Sequence, residues 1–317
     1  MNELIKIGLI TDAPQQTGKK RNPARPDRFL EQFLGRYVTY LPVCPEVESG
    51  LVDIDQWFRL TGEPDSPRLV GARTGADCTD RLLDWSSQRV RELEGEELCG
   101  FIFRRNSPSG GMTRVPVYPA DGGRALKQGV GFFSREFMTH FPRIPVEEDG
   151  RLHDMGLREN FIERIFTLKR WRKTVASGRT MGNLVDYHTR QKLLILAHSP
   201  KHYSLMGKLV AEGKAQPPDV LYQEYETLLM EAMRQSATVQ KHANVLLHLL
   251  GYFKQQLAAD EKQEMLEIID RYRAGFVPLI VPVTLVNHYV RKYRQPYLQL
   301  QTYLRPHPVA LKLRNHV

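Results

Sequence analysis

Short apolar runs of strand length alternate with amphipathic segments through the first half of the chain. The strand-like runs, rich in β-branched and aromatic residues, are 5–11 (IKIGLIT), 36–44, 98–105, 114–118 and 143–148. The segments with apolar residues at helical spacing are 26–35, 79–95 and 130–141. A hairpin or irregular insert is expected over 57–75, where strand-like ends flank a Pro/Gly turn. This alternation predicts an α/β domain with a parallel-containing sheet and with ligands at the strand ends.

The second half repeats apolar residues at helical spacing almost throughout. Seven helices are predicted, over 156–175, 184–199, 202–213, 221–235, 239–257, 260–275 and 282–293. Their short connections predict an all-α helical bundle. The prolines of the last segment, YLRPHPVALKLRNHV, predict an extended tail that lies across the surface. We therefore expect two domains, 1–155 and 156–317, which suits a chain of 317 residues.

Charge is distributed unevenly between the two halves. Residues 1–150 carry 20 basic and 22 acidic side chains, a net charge of −2. Residues 151–317 carry 25 basic and 14 acidic side chains, a net charge of +11. A basic helical domain points to a polyanionic partner, with nucleic acid as the first candidate. The alternative is a basic surface that is simply solvated.

Other features of the sequence bear on the location of the protein in the cell. The chain has no run of about 18 apolar residues, so we expect no membrane span. Its start, MNELIKIGLITD, lacks the basic region and apolar stretch of a signal peptide, so a cytoplasmic location is expected. Cys44, Cys78 and Cys99 are not spaced as pairs, so structural disulfides are not expected.

Polar residues in the basic half form stripes with donors suited to phosphates and bases. On the predicted helix 239–257, Lys241, Asn244 and His248 follow one another at helical spacing, with Tyr252 beside them. Similar groups recur along the domain, and the candidate RNA-binding residues are His188, Lys192, Lys201, His202, Lys241, Asn244, His248, His288, Arg291 and Lys292. The alternative is a solvated helix face. Pro200 interrupts His198 and His202, which weighs against a zinc site there.

Two short segments of the first half contain candidate chemistry. VCPEVESG (43–50) leaves a strand and places Cys44, Glu46 and Glu48 at alternate positions. NSPSGGM (106–112) is a loop of small residues directly after the apolar run CGFIFRR, and such loops let a backbone approach a ligand closely. The first segment suggests a thiolate or carboxylate site, while the alternative is an inert buried Cys44 with two surface glutamates.

Several long stretches resemble one known family. They are PVCPEVESGL, GFIFRRNSPSGG, PVEEDGRLHDMGLRENFIERIF, DYHTRQKLLILAHSPKHY, KHANVLLHLLGYFK, PLIVPVTLVNHYVRKY and YLRPHPVALKLRNHV. The family joins a thiouracil-desulfidase domain to a YbgA-type helical domain, and the resemblance covers nearly the whole chain. It implies removal of sulfur from thiolated uracil, including 4-thiouridine in tRNA, with a [4Fe–4S] cluster held by three cysteines. It also implies that the helical domain binds tRNA.

The chain departs from this family at the cluster motif. Asp12 stands at or near the place of the first cysteine, Cys44 matches the second, and Gly110 stands in place of the third. No cofactor is therefore expected, because such clusters are held by thiolates. Asp12 as an oxygen ligand beside Cys44 is the metal-binding alternative. The resemblance assigns the catalytic acid and hydroxyl near the substrate to Glu48 and Ser107.

Three functions are compatible with the sequence. The first is a protein of the desulfidase family that binds tRNA or other RNA, and a thiolated uracil base, without an intact iron–sulfur cluster. The second is an active tRNA 4-thiouridine desulfidase whose [4Fe–4S] cluster has altered ligands. The third is a protein-interaction scaffold whose basic domain meets an acidic protein.

Overall fold

The structure is a computed structural model that describes residues 4–11, 28–55 and 57–316. The chain divides into two compact units between Asp154 and Met155. The first unit combines strands and helices, and the second is helical. The predicted fold class, an α/β domain with a parallel-containing sheet followed by an all-α bundle, is confirmed.

The described residues of the first unit form two four-stranded sheets. Their strands are β1 (Ile5–Ile10), β2 (Val38–Val43), β3 (Phe58–Thr61), β4 (Arg68–Gly71), β5 (Gly100–Phe103), β6 (Val115–Tyr118), β7 (Leu126–Gly129) and β8 (Val146–Glu148). The first sheet has the order β2-β1-β5-β8 and all its described pairings are parallel. The second sheet has the order β4-β3-β6-β7, with a β3–β4 hairpin and a parallel β3–β6 pair.

In the part of this unit that the structure describes, three α-helices accompany the sheets: α1 (Pro45–Glu48), α2 (Thr79–Glu92) and α3 (Phe132–His140). The first two residues of the predicted helix 26–35 lie outside the described residues. Its described part is a π-helical turn, Phe29–Phe33, followed by a 3₁₀ turn, Leu34–Arg36. The first sheet packs α2 and α3 against a core rich in phenylalanine, which includes Phe101, Phe103, Phe133 and Phe137. A parallel sheet packed in this way presents the carboxyl ends of its strands at a common edge, where loops can form a site.

The second unit is a bundle of eight helices among the described residues. They are α4 (Met155–Ala176), α5 (Met181–His198), α6 (Pro200–Glu212), α7 (Pro218–Arg234), α8 (Val239–Leu250), α9 (Ala259–Arg273), α10 (Ile280–Lys292) and α11 (Pro296–Gln299). The fully buried Trp171 of α4 contacts the rings of Tyr187, Tyr222 and Tyr225 on α5 and α7. Its indole nitrogen donates to Glu226, so the apolar ring is buried without leaving its N–H unpaired.

Two expectations for the second unit were wrong. The predicted helix 239–257 ends at Leu250, and a 3₁₀ turn, Gly251–Phe253, follows it. The tail does not lie extended on the surface, because it folds into short 3₁₀ turns and buries Tyr303, Leu311, Leu313 and Arg314. Apolar residues on both sides of the two prolines are buried, and their burial outweighs the preference of proline for extended chain. No helix in the described part of the chain is both long and apolar enough to cross a membrane.

Candidate functional site

Cys44 lies at the carboxyl end of β2, directly before α1. The register pairs Val43 with Ile10, the last residue of β1, so these two strand ends are neighbours. Cys44 is the N-terminal capping residue of α1, and Pro45 in the next position is suited to the first turn of a helix. The Cys44 side chain is partly exposed. A strand end followed by a helix start thus presents one thiol at the edge of the parallel sheet.

Glu46 and two serines form a hydrogen-bonded set beside this thiol. The buried Ser109 hydroxyl donates to Glu46 Oε1, and Cys44 Sγ lies 4.0 Å from Glu46 Oε2. Ser107 Oγ lies 2.9 Å from Ser109 Oγ. Because Ser109 uses its only hydrogen on Glu46, Ser107 must donate to Ser109. Ser107 Oγ in turn accepts the backbone N–H of Gly110 at 2.9 Å, which fixes the direction of the whole chain of hydrogen bonds.

Glu48, which the resemblance gives as the catalytic acid, is engaged elsewhere. Its Oε1 accepts the backbone N–H of Cys44 at 2.8 Å, and its Oε2 lies 3.0 Å from Arg89 Nε. These contacts cap α1 and tie it to α2. Glu46 is therefore the carboxylate that faces Cys44 and the loop of residues 106–112, which we call the serine loop. The sequence singled out Glu46 through its alternation with Cys44, but it gave no signal for Ser109.

Gly110 closes the serine loop over the end of β1. Its carbonyl oxygen accepts the N–H of Arg104 at 3.1 Å, directly after β5. A β-carbon placed on Gly110 would lie 3.1 to 3.2 Å from the side chain of Ile10, the last residue of β1. The backbone of Gly110 is not in the left-handed region, so a side chain there meets tight packing but no backbone strain.

Glu148 holds the far side of the same loop. This buried residue ends β8, and its Oε1 accepts the N–H groups of Met112 at 2.9 Å and Thr113 at 3.1 Å. Burial raises the pKa of the Glu148 carboxyl, and the two backbone donors oppose that shift. The loop is thus anchored by β5 on one side and by β8 on the other, which leaves the serine hydroxyls in a defined position.

The three cysteines of the chain, all within the described residues, lie in separate places. Cys99 precedes β5, and its backbone N–H donates to the carbonyl oxygen of Lys6 in β1. It therefore lies at the amino end of the parallel sheet, at the end opposite to Cys44. Cys78 is buried beside the second sheet among Leu51, Leu60 and Leu69. Burial raises the pKa of the Cys78 thiol, which disfavours a thiolate. Three thiolates therefore do not converge here, and Asp12, the other candidate ligand, lies outside the described residues.

In the helical unit, several predicted RNA-binding residues make internal contacts. His188 is buried, and its Nδ1 lies 3.1 Å from the Tyr225 hydroxyl. Lys241 Nζ donates to the carbonyl oxygens of His198 and Ser236. His202 Nδ1 lies 2.8 Å from the hydroxyl of Ser199, and Lys292 Nζ lies 2.6 Å from Glu261. Each of these four side chains thus has a partner within the bundle, and Lys292 is the one of them that is exposed.

The remaining predicted residues lie at the surface. Lys201, Asn244, His248, His288 and Arg291 are exposed, and Lys192 is partly exposed. Lys192 Nζ lies 5.2 Å from the centre of the Tyr297 ring, and Tyr297 stacks on Tyr252. His248 meets Tyr252 edge-on. Two members of the predicted set thus meet around a pair of tyrosines, and sequence reasoning did not select Tyr297 because it lies about 50 residues from His248.

A buried charge network in the same unit was not expected from the sequence. Glu163 on α4 is buried, and its carboxylate contacts His198 Nε2 at 2.8 Å and Arg314 Nη2 at 3.0 Å. His198 Nδ1 faces the carbonyl oxygen of Gln235 at 2.7 Å and so must carry a proton. The hydrogen bond to His198 and the charge of Arg314 lower the pKa of Glu163 against the effect of burial. Burial and the neighbouring Glu163 charge raise the pKa of Glu159, which also faces Arg314.

Comparisons with known proteins match parts of the first unit and parts of the second unit separately. A family model described as 2-thiouracil desulfurase matches residues 20–149, and a model described as a protein of unknown function (DUF1722) matches residues 192–308. The uncharacterized protein YbgA of Escherichia coli (strain K12) is 35% identical over 153 residues, which are 48% of this chain and 90% of that protein. A solved structure of the [4Fe-4S]-dependent thiouracil desulfidase TudS is 20% identical, with a TM-score of 0.33, over 48% of this chain and 94% of that one.

The relation to YbgA extends over nine-tenths of that protein at an identity well above chance similarity. The 2-thiouracil desulfurase model covers most of the first unit, and the DUF1722 model covers most of the second. The chain therefore belongs to the YbgA family, with a desulfurase-like domain joined to its YbgA/DUF1722 domain.

Proposed function

We propose that this protein binds RNA, with tRNA as the leading candidate, and receives a thiouracil-type base at the loop formed by Ser107–Gly111. We further propose that it does so without a [4Fe–4S] cluster held by three cysteines. The observation that carries the proposal is the Glu46–Ser109–Ser107 hydrogen-bonded set beside a single thiol, at the end of β1 where Gly110 has no side chain.

The chemistry of this site suits recognition of a base. Glu46 offers carboxylate oxygens that accept from ring N–H groups. Ser107 Oγ, whose hydrogen is donated to Ser109, keeps a lone pair that can accept a further N–H of the base. Cluster-based removal of sulfur needs thiolates that converge on one iron group, and the described residues supply only Cys44 at this edge. Binding without cluster chemistry is therefore the function that these side chains support best.

Iron content tests the first unit. Protein purified or reconstituted without oxygen should show no broad absorption near about 400 nm and should hold well under about three irons per chain, because thiolates are what retain such clusters. The matched control is Cys44→Ala, which should leave the iron content unchanged. Stoichiometric iron that disappears in Cys44→Ala would contradict the proposal and favour an active desulfidase with altered cluster ligands.

Restoring the missing thiolates gives a second test of the same unit. Asp12→Cys combined with Gly110→Cys should recover cluster binding, while either substitution alone should not. The backbone at Gly110 accepts a side chain, but the new β-carbon must displace the side chain of Ile10 slightly. We therefore expect partial rather than full occupancy by iron. Wild-type protein that already holds about three or more irons per chain before any substitution would reject the proposal, because no ligand would then be missing.

The charge of the second half supports RNA as the partner. Residues 151–317 carry a net charge of +11, and each phosphate that a lysine or arginine neutralises releases a counterion. The affinity of the full-length protein for tRNA should therefore fall steeply with salt, with a log–log slope of about −0.7 to −0.9 per contact. Equal affinity for tRNA and heparin would indicate a merely solvated basic surface, and tight binding of an acidic protein instead of tRNA would favour a protein scaffold.

A further inference from the structure

We propose that the tyrosine pair Tyr252–Tyr297, together with Lys192, Asn244 and His248, binds unpaired nucleotides of an RNA by stacking and phosphate contact. This inference rests on the proposed RNA-binding function and assigns it to one surface of the helical unit. We call these five residues the tyrosine site. The sequence groups Asn244, His248 and Tyr252 by their spacing, but only the fold brings Lys192 of α5 and Tyr297 of α11 to them.

The two rings are fixed in a parallel arrangement. Tyr252 lies in the 3₁₀ turn Gly251–Phe253, and Tyr297 lies in α11. Their ring centres are 5.2 Å apart and their planes differ by 24°. Both side chains are only partly buried, so the rings are held by the bundle and still reach solvent. Pre-positioned aromatic rings of this kind bind bases without a large loss of conformational entropy.

The positive charge at the tyrosine site is available to a phosphate. Lys192 Nζ lies 5.2 Å from the centre of the Tyr297 ring and has no acidic partner within 4.0 Å among the described residues. Lys292 offers a contrast in the same unit, since it lies 5.3 Å from the Tyr293 ring but is also paired with Glu261 at 2.6 Å. Two lysines thus make the same contact with a tyrosine, and only Lys292 is neutralised by a carboxylate.

Two exposed polar side chains lie on one face of α8, and one of them, His248, contacts the Tyr252 ring. His248 is exposed and meets Tyr252 edge-on, with ring centres 5.9 Å apart and an angle of 72°. Asn244 is exposed one helical turn before His248, on the same face of α8. An amide and an imidazole can both donate to and accept from base edges. Stacking surface, base-edge donors and a phosphate-binding cation are therefore present together.

The tyrosine rings of this site favour unpaired nucleotides over duplex RNA. Bases in a duplex are stacked on each other, and their flat faces are closed to a protein side chain. Single-stranded or looped nucleotides expose those faces, and stacking on an aromatic ring tolerates any base. The tyrosine site is thus expected to recognise a loop or an end of an RNA, with little preference for sequence.

The experiment compares full-length variants on two fluorescently labelled strands of the same length, about 12 nucleotides. One strand is single-stranded oligouridylate, and the other has the same backbone without bases. Wild-type protein should bind the strand with bases roughly tenfold or more tightly, because each stacked base contributes measurably to affinity. Tyr252→Ala should remove most of that difference, whereas Tyr252→Phe keeps the ring and should retain it. Thermal unfolding of each variant verifies that it is folded.

Lysine variants test the phosphate contact with a matched control. Lys192→Ala should weaken binding of both strands and reduce the salt slope by about 0.7, the value for one phosphate contact in single strands. Lys292→Ala should leave the affinity for both strands and the salt slope unchanged, because the Lys292 ammonium group is already neutralised by Glu261.

Different failures have different meanings. If wild-type protein binds RNA but Tyr252→Ala and Lys192→Ala bind as well as wild type, the tyrosine site is rejected and the proposed function stands. If wild-type protein binds the strand with and without bases equally, stacking is rejected in the same way. If wild-type protein binds neither strand nor tRNA, both the proposed function and this inference are overturned.

Discussion

At the scale of single residues, the second unit depends on one arginine near the end of its chain. Arg314 is buried, donates to the carbonyl oxygen of Tyr303 at 2.6 Å and contacts Glu163 at 3.0 Å. Its guanidinium also lies 4.9 Å from the Tyr303 ring. A buried carboxylate that loses its cation is costly, because water cannot reach it to compensate.

Removal of this arginine should therefore destabilise the helical unit strongly. Arg314→Ala should lower its free energy of unfolding by about 3–5 kcal/mol, the range for breaking a buried ion pair. Chemical denaturation monitored by circular dichroism measures the change. The control is Arg273→Ala, which breaks an exposed pair with Asp270 at 3.4 Å and should cost less than about 1 kcal/mol. A similar effect of the two substitutions would show that the Glu163 network does not stabilise the fold.

At the scale of secondary structure, strands and helices with an apolar pattern could be predicted and those without one could not. The strands β1, β2 and β5 and the hairpin β3–β4 follow runs that the sequence marks clearly. β7 was missed because three of its four residues are exposed at the edge of the second sheet, so it has no apolar pattern. The helix α8 was predicted too long, because the buried Phe253 continues the apolar stripe through a 3₁₀ turn.

The first sheet also depends on a close approach between two strands. A β-carbon on Gly8 of β1 would lie 2.2 Å from ring carbons of Phe101 on the neighbouring strand β5, and that ring is fully buried. Gly8→Ala should therefore lower the free energy of unfolding of the first unit by about 1–3 kcal/mol, as overpacking does in a dense core. Gly95→Ala is the control, because a β-carbon there has no atom within 4 Å. Unfolding curves that match wild type for Gly8→Ala would mean that Phe101 can move aside at little cost.

The candidate site shows the same limit of sequence reasoning. Cys44, Ser107 and the loop around Gly110 could be selected because they follow strand ends, where parallel sheets form sites. Ser109 and the role of Glu46 could not, since the contact between them joins residues 63 positions apart. Likewise, Lys241 and His188 have the residue types of an RNA-binding surface, but only the packing shows that their polar atoms face the bundle.

At the scale of the whole molecule, buried histidines should make stability depend on pH. Burial lowers the pKa of His188 and His307 to about 4 and that of His242 to about 3. The unfolded chain binds these protons at a pKa of about 6.5, so stability should fall as the pH drops from about 6.5 to about 4. Glu159 acts in the opposite direction, because its pKa is raised, and it offsets part of the loss.

The measurement is the urea midpoint of unfolding at pH 7.5, 6 and 5. We expect the midpoint of wild-type protein to decrease along this series. His188→Asn removes one titrating group and should make the decrease smaller, whereas the exposed His288→Asn should leave it unchanged. A midpoint that rises from pH 7.5 to 5 would mean that Glu159, rather than the histidines, dominates proton uptake on unfolding.

The burial of Arg314 also has a consequence for the order in which the chain folds as it is made. Domains generally fold as units while synthesis proceeds from the amino terminus, and the first unit ends at Asp154. The helical unit must wait, because Glu163 at its start meets its cation only 151 residues later. Until Arg314 has been synthesised, Glu163 lacks its arginine partner and the buried charge network of the helical unit cannot be completed. We therefore expect the helical unit to complete its folding later in synthesis than the first unit.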